Sequence, residues 1–359
     1  MIDFLIIGGG IAGLSAAARL SPHGSVTVLE AEDSLGYHAS GRSAAMFEEH
    51  YGSPSTVALN RASKDYLVQA DVLSPRGFIL LGTSASRADY DHDKSAMQME
   101  EIGPTEAQNM VPILDPSVIT HAAYDNAAQD IDTDKLLQGY ARTARQNGAQ
   151  ILTKSGATAI RKIATGWSVT TPQNTLESHI LINAAGAWAD RIAIMAGITP
   201  IGITPHRRSM ARIPAPGGHD VTGWPMFFGA GETWYAKPDA GKLLVSPADE
   251  DPVDPHDAWP DDMVLAEGIA RYQENVTTEV ARVESSWAGL RSFSPDRSLV
   301  IGFDITEPAF FWLAAQGGYG MQSSPAASQL TAALITGATP EIDPTAVAAL
   351  SPHRFSNNS

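Results

Sequence analysis

Among its 359 residues the chain has no cysteine. That absence excludes disulfides, thiolate metal sites, a cysteine nucleophile and a cysteine-linked cofactor together, while leaving the compartment open. Positive charge is scarce. With 24 Lys and Arg against 40 Asp and Glu the formal charge is −16, and such a surface repels phosphate backbones, which makes nucleic acid and anionic membranes poor partners. No apolar run approaches ~18 residues and no charged-then-apolar leader precedes the first strand, so neither a transmembrane segment nor a signal peptide is expected and the default location is cytoplasmic. Metal ligation is unsupported as well. The seven carboxylates from Asp249 to Asp262 lack the glycine-centred loop of alternating ligands that calcium requires, and read as a solvated, proline-stiffened loop.

What remains is ordinary globular material. A hydrophobic fraction of 43% with 18% charged residues permits a large core. At 359 residues the chain exceeds the ~250–300 at which one core stops growing, so two domains are expected.

The first thirty residues organise the rest. An apolar run, Phe4 to Ile7, enters Gly8-Gly9-Gly10-Ile11-Ala12-Gly13, an Ala/Leu-rich helix follows, and a second run, Val26 to Leu29, closes on Glu30. Gly8 permits the tight turn, Gly10 lets the backbone approach a pyrophosphate, and Gly13 lets the helix pack closely on the strands. The free N–H groups at the helix start attract phosphate. Glu30, twenty-two residues after Gly8, then accepts from a ribose hydroxyl, close to the ~20-residue gap of a dinucleotide fingerprint.

Further on, Ser40, Gly41, Arg42 and Ser43 read as a turn capping a short Ala-rich helix, a second place for a phosphate or ring contact. Helices are expected over residues 56–70, 85–99, 135–146, 261–275 and 321–335, with another starting at Pro104. Strands are expected at 77–81, 151–153, 158–161, 179–183, 299–302 and 310–314. The buried-strand pattern His179 to Asn183 leads into Ala184-Ala185-Gly186-Ala187-Trp188, where small residues permit close approach to a cofactor or tight packing. Alternating segments at 206–213, 224–228, 234–237 and 243–245 form an antiparallel sheet unlike the N-terminal unit. Gln316-Gly317-Gly318-Tyr319-Gly320 opens the last long helix with its positive end toward the glycine turn.

The strings DIDTD (130–134), NAAGAW (183–188), KPDAG (237–241), WAGLRSF (287–293) and AAQGGYG (314–320) resemble those of the FAD-dependent D-amino-acid oxidase and glycine/sarcosine oxidase superfamily, with the strongest likeness to bacterial D-arginine dehydrogenases. The resemblance implies an α/β fold: a Rossmann-like FAD-binding domain (1–73, 137–205, 292–359) with an inserted antiparallel-sheet α+β substrate domain (74–136, 206–291). It implies one non-covalent FAD held by Gly8, Gly10, Ile11, Ala12, Gly13, Glu30 and Ala31. Arg42, Ser43, Ala44, Ala157, Gly186, Trp188 and Arg291 would also meet the cofactor, and Gly317, Gly318, Tyr319, Gly320 and Met321 would face the flavin. A helix N-terminus there suits the negative charge of reduced flavin. Arg208, Tyr235 and Arg291 would hold a substrate carboxylate, a planar task suited to guanidinium. Tyr51 completes the catalytic set.

The resemblance also marks departures. Met46 replaces a histidine, Gly77 an acid that meets the distal guanidinium, and Phe228 a small aliphatic residue, whereas Tyr51, Met226 and Gly318 match. Glu48 has no acidic counterpart. As an exposed loop glutamate is the commoner case, Glu48 and Glu49 are expected to form an outward acidic lid; turned inward, Glu48 replaces the missing acid. The implied reaction is FAD-dependent oxidative deamination of D-amino acids, by hydride transfer from Cα to flavin, giving an imino acid that hydrolyses to a 2-oxo acid and ammonia. Oxidation of a secondary amine such as an N-alkyl amino acid, and a flavin-carrying subunit of an electron-transfer complex, are the alternatives. The electron acceptor, whether oxygen, a quinone or another carrier, the side-chain preference and the oligomeric state stay open.

Overall fold

The strand Ile2–Ile7 turns through three glycines into the helix Ile11–Leu20, and Val26–Leu29 returns parallel to the first strand, with Phe4 opposite Val26 and Ile7 opposite Leu29. Two of the glycines in this unit have no substitute. At Gly8 (φ 114°) an added Cβ lies 2.3 Å from the carbonyl oxygen of Ala184, and at Gly13 it lies 1.9 Å from that of Gly8. The close helix-on-strand approach therefore depends on the missing side chains.

The computed structural model describes residues 1–356 and places them in an α/β arrangement of two large sheets and a small one. In the first sheet Gln150–Leu152, Val26–Leu29, Ile2–Ile7, Thr175–Asn183 and Phe310–Ala314 run parallel, a Rossmann-like core. Thr175–Asn183 is long enough to serve two neighbours: its first half pairs antiparallel with Gly166–Thr170, its second half parallel with Phe310–Ala314. Such near-continuous apolar strands, Phe310 to Ala314 being wholly buried, are what a sheet covered on both faces requires.

One face is covered by Ile11–Leu20, Thr133–Gln146 and Gly320–Thr336. Asp132 caps the second of these, its side chain accepting from Lys135 N–H at 2.9 Å. Leu136, Leu137, Tyr140, Ala141 and Ala144 recur at helical spacing and are buried. Each leucine contributes about 1.5–3 kcal/mol by that burial, so Leu137→Asp would detach the helix.

The second sheet runs Ser285–Phe293, Thr204–Ile213, Lys242–Ser246, Tyr235–Asp239, Met226–Gly229, Phe78–Gly82, His121–Asp125, Glu100–Ile102. It is antiparallel as expected, with one parallel joint between Met226–Gly229 and Phe78–Gly82. The third sheet joins Met46–Phe47, Gln129–Ile131 and Leu73–Pro75.

Two expectations are corrected and one strand is added. Residues 43–49 form no helix: a 3-10 turn, Ala39–Arg42, leads to extended backbone, and Met46 pairs with Asp130. Sheet pairing there overrides the helix propensity of the alanines. The nine-residue strand Ser285–Phe293 had no clear signature, as its small and polar residues give no clean alternation, but it pairs with Thr204–Ile213 along nine positions. Asp249 is not solvated; it is 8% exposed and accepts from Ser209 N–H at 2.5 Å and Ser209 Oγ at 2.8 Å. Among the described residues no helix is long and apolar enough to cross a membrane, and no group of three or more His, Asp or Glu side chains could hold a metal ion.

Candidate active site

Three contiguous cavities run from the glycine turn of the first sheet to the second sheet. The largest, about 1230 Å³, passes Gly8, Gly10, Glu30, Ala31, Ala157, Gly186 and Trp188. It shares Ala39, Ser40 and Leu290 with a middle cavity of about 630 Å³, lined by Ile11, Arg42, Gly317, Gly318, Gly320 and Met321 among others. Ser43, Ala44, Arg208, Tyr235, Arg291 and Gly318 are common to the middle cavity and the third, about 760 Å³.

The first two cavities fit a dinucleotide. The helix Ile11–Leu20 starts at Gly10 without a side-chain cap from that residue, and Ser40 Oγ takes up only the Ile11 N–H at 3.0 Å, leaving further donors for an anion. A Cβ added at Gly10 meets nothing closer than Ser40 Oγ at 3.2 Å, and one at Gly186 meets nothing within 4 Å. There the glycines leave room at the cavity wall. Glu30 accepts from Gly9 N–H at 2.7 Å and Glu32 N–H at 2.8 Å, which fixes the glycine turn and leaves each oxygen a lone pair for a ribose hydroxyl. The helix Gly320–Thr336 likewise begins uncapped behind Gly317 and Gly318, so its positive end faces the middle cavity.

The third cavity is where charge converges. Arg208 stands on Thr204–Ile213 and Arg291 on Ser285–Phe293, neighbouring strands of the second sheet. Arg208 Nε donates to the Asp249 carbonyl at 2.8 Å, and neither guanidinium forms a salt bridge among the described residues. Arg207 differs: it is tied to Asp249 at 3.2 Å and Asp251 at 2.8 Å. Burial works against the Arg291 charge, but Tyr51, Tyr235 and Glu232 beside it more than offset this and raise its pKa. Tyr51 Oη donates to Glu232 Oε2 at 3.0 Å. Burial, reinforced by Glu232, raises the Tyr51 pKa and keeps it a hydroxyl. Tyr235 is 8% exposed and borders both the middle and third cavities.

Glu48 reverses its expected orientation. It is 4% exposed and lines the third cavity, because its backbone N–H donates to Gln322 Oε1 at 2.9 Å and Asn60 Nδ2 reaches its carbonyl at 3.5 Å, which draws the segment inward. Its Oε1 accepts from His50 N–H at 2.8 Å, whereas its buried Oε2 has no partner. Burial, with Asp125 and Glu49 adding to it, pushes its pKa up to about 7.

The segment that carries Glu48 is pinned by Lys237 on the second sheet. Its Nζ donates to the carbonyls of Ala44 and Ala45 at 3.0 and 3.1 Å and pairs with Asp130 at 2.8 Å; Asp130 in turn pairs with Arg76 at 2.6 Å. Burial lowers the Lys237 pKa against the pull of Asp130.

The sequence-predicted pocket residues Met46, Glu48, Tyr51, Met226, Phe228 and Gly318 meet around this cavity with Arg208, Tyr235 and Arg291. Gly77 does not. Its φ of 76° aims a Cβ at Tyr124 Oη, 2.4 Å away, so no acid fits at that position on this backbone, and Gly77 is no part of the lining. Ala12, Gly13 and Tyr319 also stand back from the cavity walls; the Tyr319 ring packs edge-on against Tyr51 at 5.1 Å. Arg42 borders the middle cavity, but its guanidinium is held by Asp257 at 2.5 Å and by the Ala258 and Ala288 carbonyls. Sequence reasoning missed Glu232, Gln322, Trp234, Phe78 and Met97 in the lining. Glu232 has one local signal: it follows Gly231 in a turn where both residues have positive φ, 75° and 50°.

The family profile for FAD dependent oxidoreductases, DAO, matches residues 3–334. FAD-dependent oxidoreductase domain-containing protein 1 of Bos taurus is 22% identical, the match covering 93% of this chain and 81% of that one. Mitochondrial dimethylglycine dehydrogenase of Homo sapiens is 28% identical over 55% of this chain and only 24% of its own length. The solved L-proline dehydrogenase of P. horikoshii shares the fold with a TM-score of 0.84 at 23% identity, over 99% of this chain and 98% of that one.

Proposed function

The chain belongs to the DAO family of FAD-dependent oxidoreductases, and from that premise we propose that it catalyses the oxidative deamination of α-amino acids, the D-series first. One observation carries this reading. Arg208 and Arg291 stand on adjacent strands beside one cavity without a carboxylate partner among the described residues, and two such guanidiniums suit a bidentate anion. A phosphate would suit them too. The same cavity, however, is lined by Glu48 and Glu232, which repel a dianion and favour an ammonium. A zwitterion satisfies both ends.

Bound FAD supplies the hydride acceptor. The protein's part is positional: Arg208, Arg291 and Tyr235 fix the carboxylate, Tyr51 holds Glu232, and the apolar walls from Met46, Met226 and Phe228 exclude water. Loss of the α-hydrogen gives an imino acid that hydrolyses to a 2-oxo acid and ammonia. The motifs shared with D-arginine dehydrogenases support the D-configuration, although Gly77 leaves the acid of those enzymes without a counterpart at its place. The names of two relatives, dimethylglycine dehydrogenase and L-proline dehydrogenase, favour a second reading, oxidation of an N-substituted amino acid.

The test is anaerobic bleaching of the bound flavin by D- and L-amino acids, their N-methyl forms and glycerol 3-phosphate. D-amino acids are expected to bleach it fastest. Bleaching by N-methyl forms alone replaces the first reading with the second, and bleaching by glycerol 3-phosphate alone overturns both.

A further inference from the structure

Glu48 is a buried carboxyl of the cavity to which the proposed positional chemistry assigns no proton transfer. Its carboxylate is enclosed, its Oε2 is unpartnered, and among the described residues its only basic neighbour within salt-bridge reach is His50, with Nδ1 3.6 Å from Glu48 Oε1. From His50 the path continues outward. Nε2 lies 3.8 Å from Glu49 Oε1, and Glu49 reaches Arg61 at 3.0 Å and Lys64 at 3.2 Å on the helix Pro54–Gln69. Side-chain exposure rises along this row, from 5% at Glu48 to 24% at His50, 27% at Glu49 and 47% at Lys64. Both gaps at the histidine exceed a hydrogen bond and close with one water or a small rotation.

We propose that Glu48 accepts the proton of the substrate ammonium and that His50 and Glu49 carry it to solvent. The inference rests on the amino-acid reading above. In the step, an N–H bond of the ammonium breaks and its electron pair stays on nitrogen. The proton forms an O–H bond at Glu48 Oε2; rotation of the carboxyl exchanges its two oxygens and brings that proton to the side of His50 Nδ1, through which it leaves, with no change of oxidation state. The amine left behind is neutral, which hydride loss from Cα requires. The backbone N–H groups of His50 and Tyr51 lower the proton affinity of Glu48 without cancelling the effect of burial. Asp125, on the strand His121–Asp125, and Glu49 raise its proton affinity, while Gln322 and Asn60 bind only its backbone. A base with its pKa close to the working pH is the one that transfers protons best.

The experiment follows anaerobic flavin reduction by stopped flow in holoenzyme, for wild type, Glu48→Gln and His50→Asn, from neutral pH to above the pKa of the free amine. With the most reactive amino acid, Glu48→Gln is expected to slow reduction about 100-fold at neutral pH, in the range of a lost general base, and to recover most of the deficit where the amine is already neutral. His50→Asn should show the same pH contrast at smaller amplitude. A second readout needs no turnover: the infrared band of a protonated carboxyl should titrate near neutral pH in wild type and be missing from Glu48→Gln. A deficit equal at all pH values, or no such band, overturns the relay. Flavin that no amino acid reduces at any pH, in wild type, overturns the amino-acid reading itself and the relay with it.

Discussion

Replacing Glu48 by Gln should stabilise the protein, and more so as the pH rises. The cause is burial: a carboxyl whose ordinary pKa is 4.5 is pushed up to about 7 in the folded chain. A folded-state pKa above the unfolded one means the native state holds its proton more tightly. The associated stability is therefore complete below pH 4.5 and is lost as the pH climbs through about 7. At about 1.4 kcal/mol per pH unit, the whole loss is about 3 kcal/mol, most of which falls between pH 5 and pH 8. Gln cannot ionise, so the variant escapes the loss. Urea unfolding of both proteins at saturating FAD, from pH 5 to pH 8, measures it as the difference between two profiles. The variant's unfolding free energy should draw ahead of that of wild type by that amount across the window. Parallel profiles would show that Glu48 ionises normally, and would refute the argument from burial.

Arg208→Ala and Arg291→Ala should each lower kcat/KM by about 30- to 1000-fold, the ~2–4 kcal/mol of a charge-assisted carboxylate contact, with FAD content far less affected; steady-state kinetics beside flavin absorbance checks both halves. Gly10→Val should abolish FAD retention while the apoprotein keeps its stability, whereas Gly13→Ala, with a Cβ 1.9 Å from the Gly8 oxygen, should destabilise the apoprotein too, as thermal melts of both would reveal. Lys237→Met strips one of two cationic partners from Asp130, which keeps Arg76, and should cost about 1–3 kcal/mol, and faster amide exchange over residues 43–48 should accompany that loss. The flavin should appear in the supernatant after acid precipitation, as expected of a non-covalent cofactor, and yellow pelleted protein would contradict it.

The parts legible in the sequence are those whose cause is local. The glycine turn, its helix, both strands and Glu30 lie within thirty residues, and their pattern is written in neighbouring residues of the chain. The helix after Asp132 was readable from its cap and period for the same reason. Ser285–Phe293 was opaque because its strand character comes from Thr204–Ile213, some eighty residues earlier, rather than from its own alternation. Glu48 misled for a related reason: its inward turn depends on Gln322, 274 residues away. Glu232 enters the cavity through Tyr51, at a separation of 181 residues, and no local rule joins them.

The strand that carries Arg291 also sets a length. One residue on, the Ser292 carbonyl accepts the Gly317 N–H at 2.8 Å, and a Cβ on Gly318 would lie 3.0 Å from Arg291 Cζ. The strand that carries the proposed carboxylate anchor and the turn proposed to face the flavin are thus joined by a backbone hydrogen bond. Under the proposed function they act together as a caliper, one jaw on the acid group and the other on the redox partner. A substrate with one more methylene between its carboxylate and its reacting carbon overshoots by a bond of about 1.5 Å, against a reacting separation of about 3–3.5 Å. Under the proposed function, changes elsewhere in the pocket therefore have freedom to alter which side chain is accepted, while the spacing from acid to reacting carbon stays that of an α-amino acid.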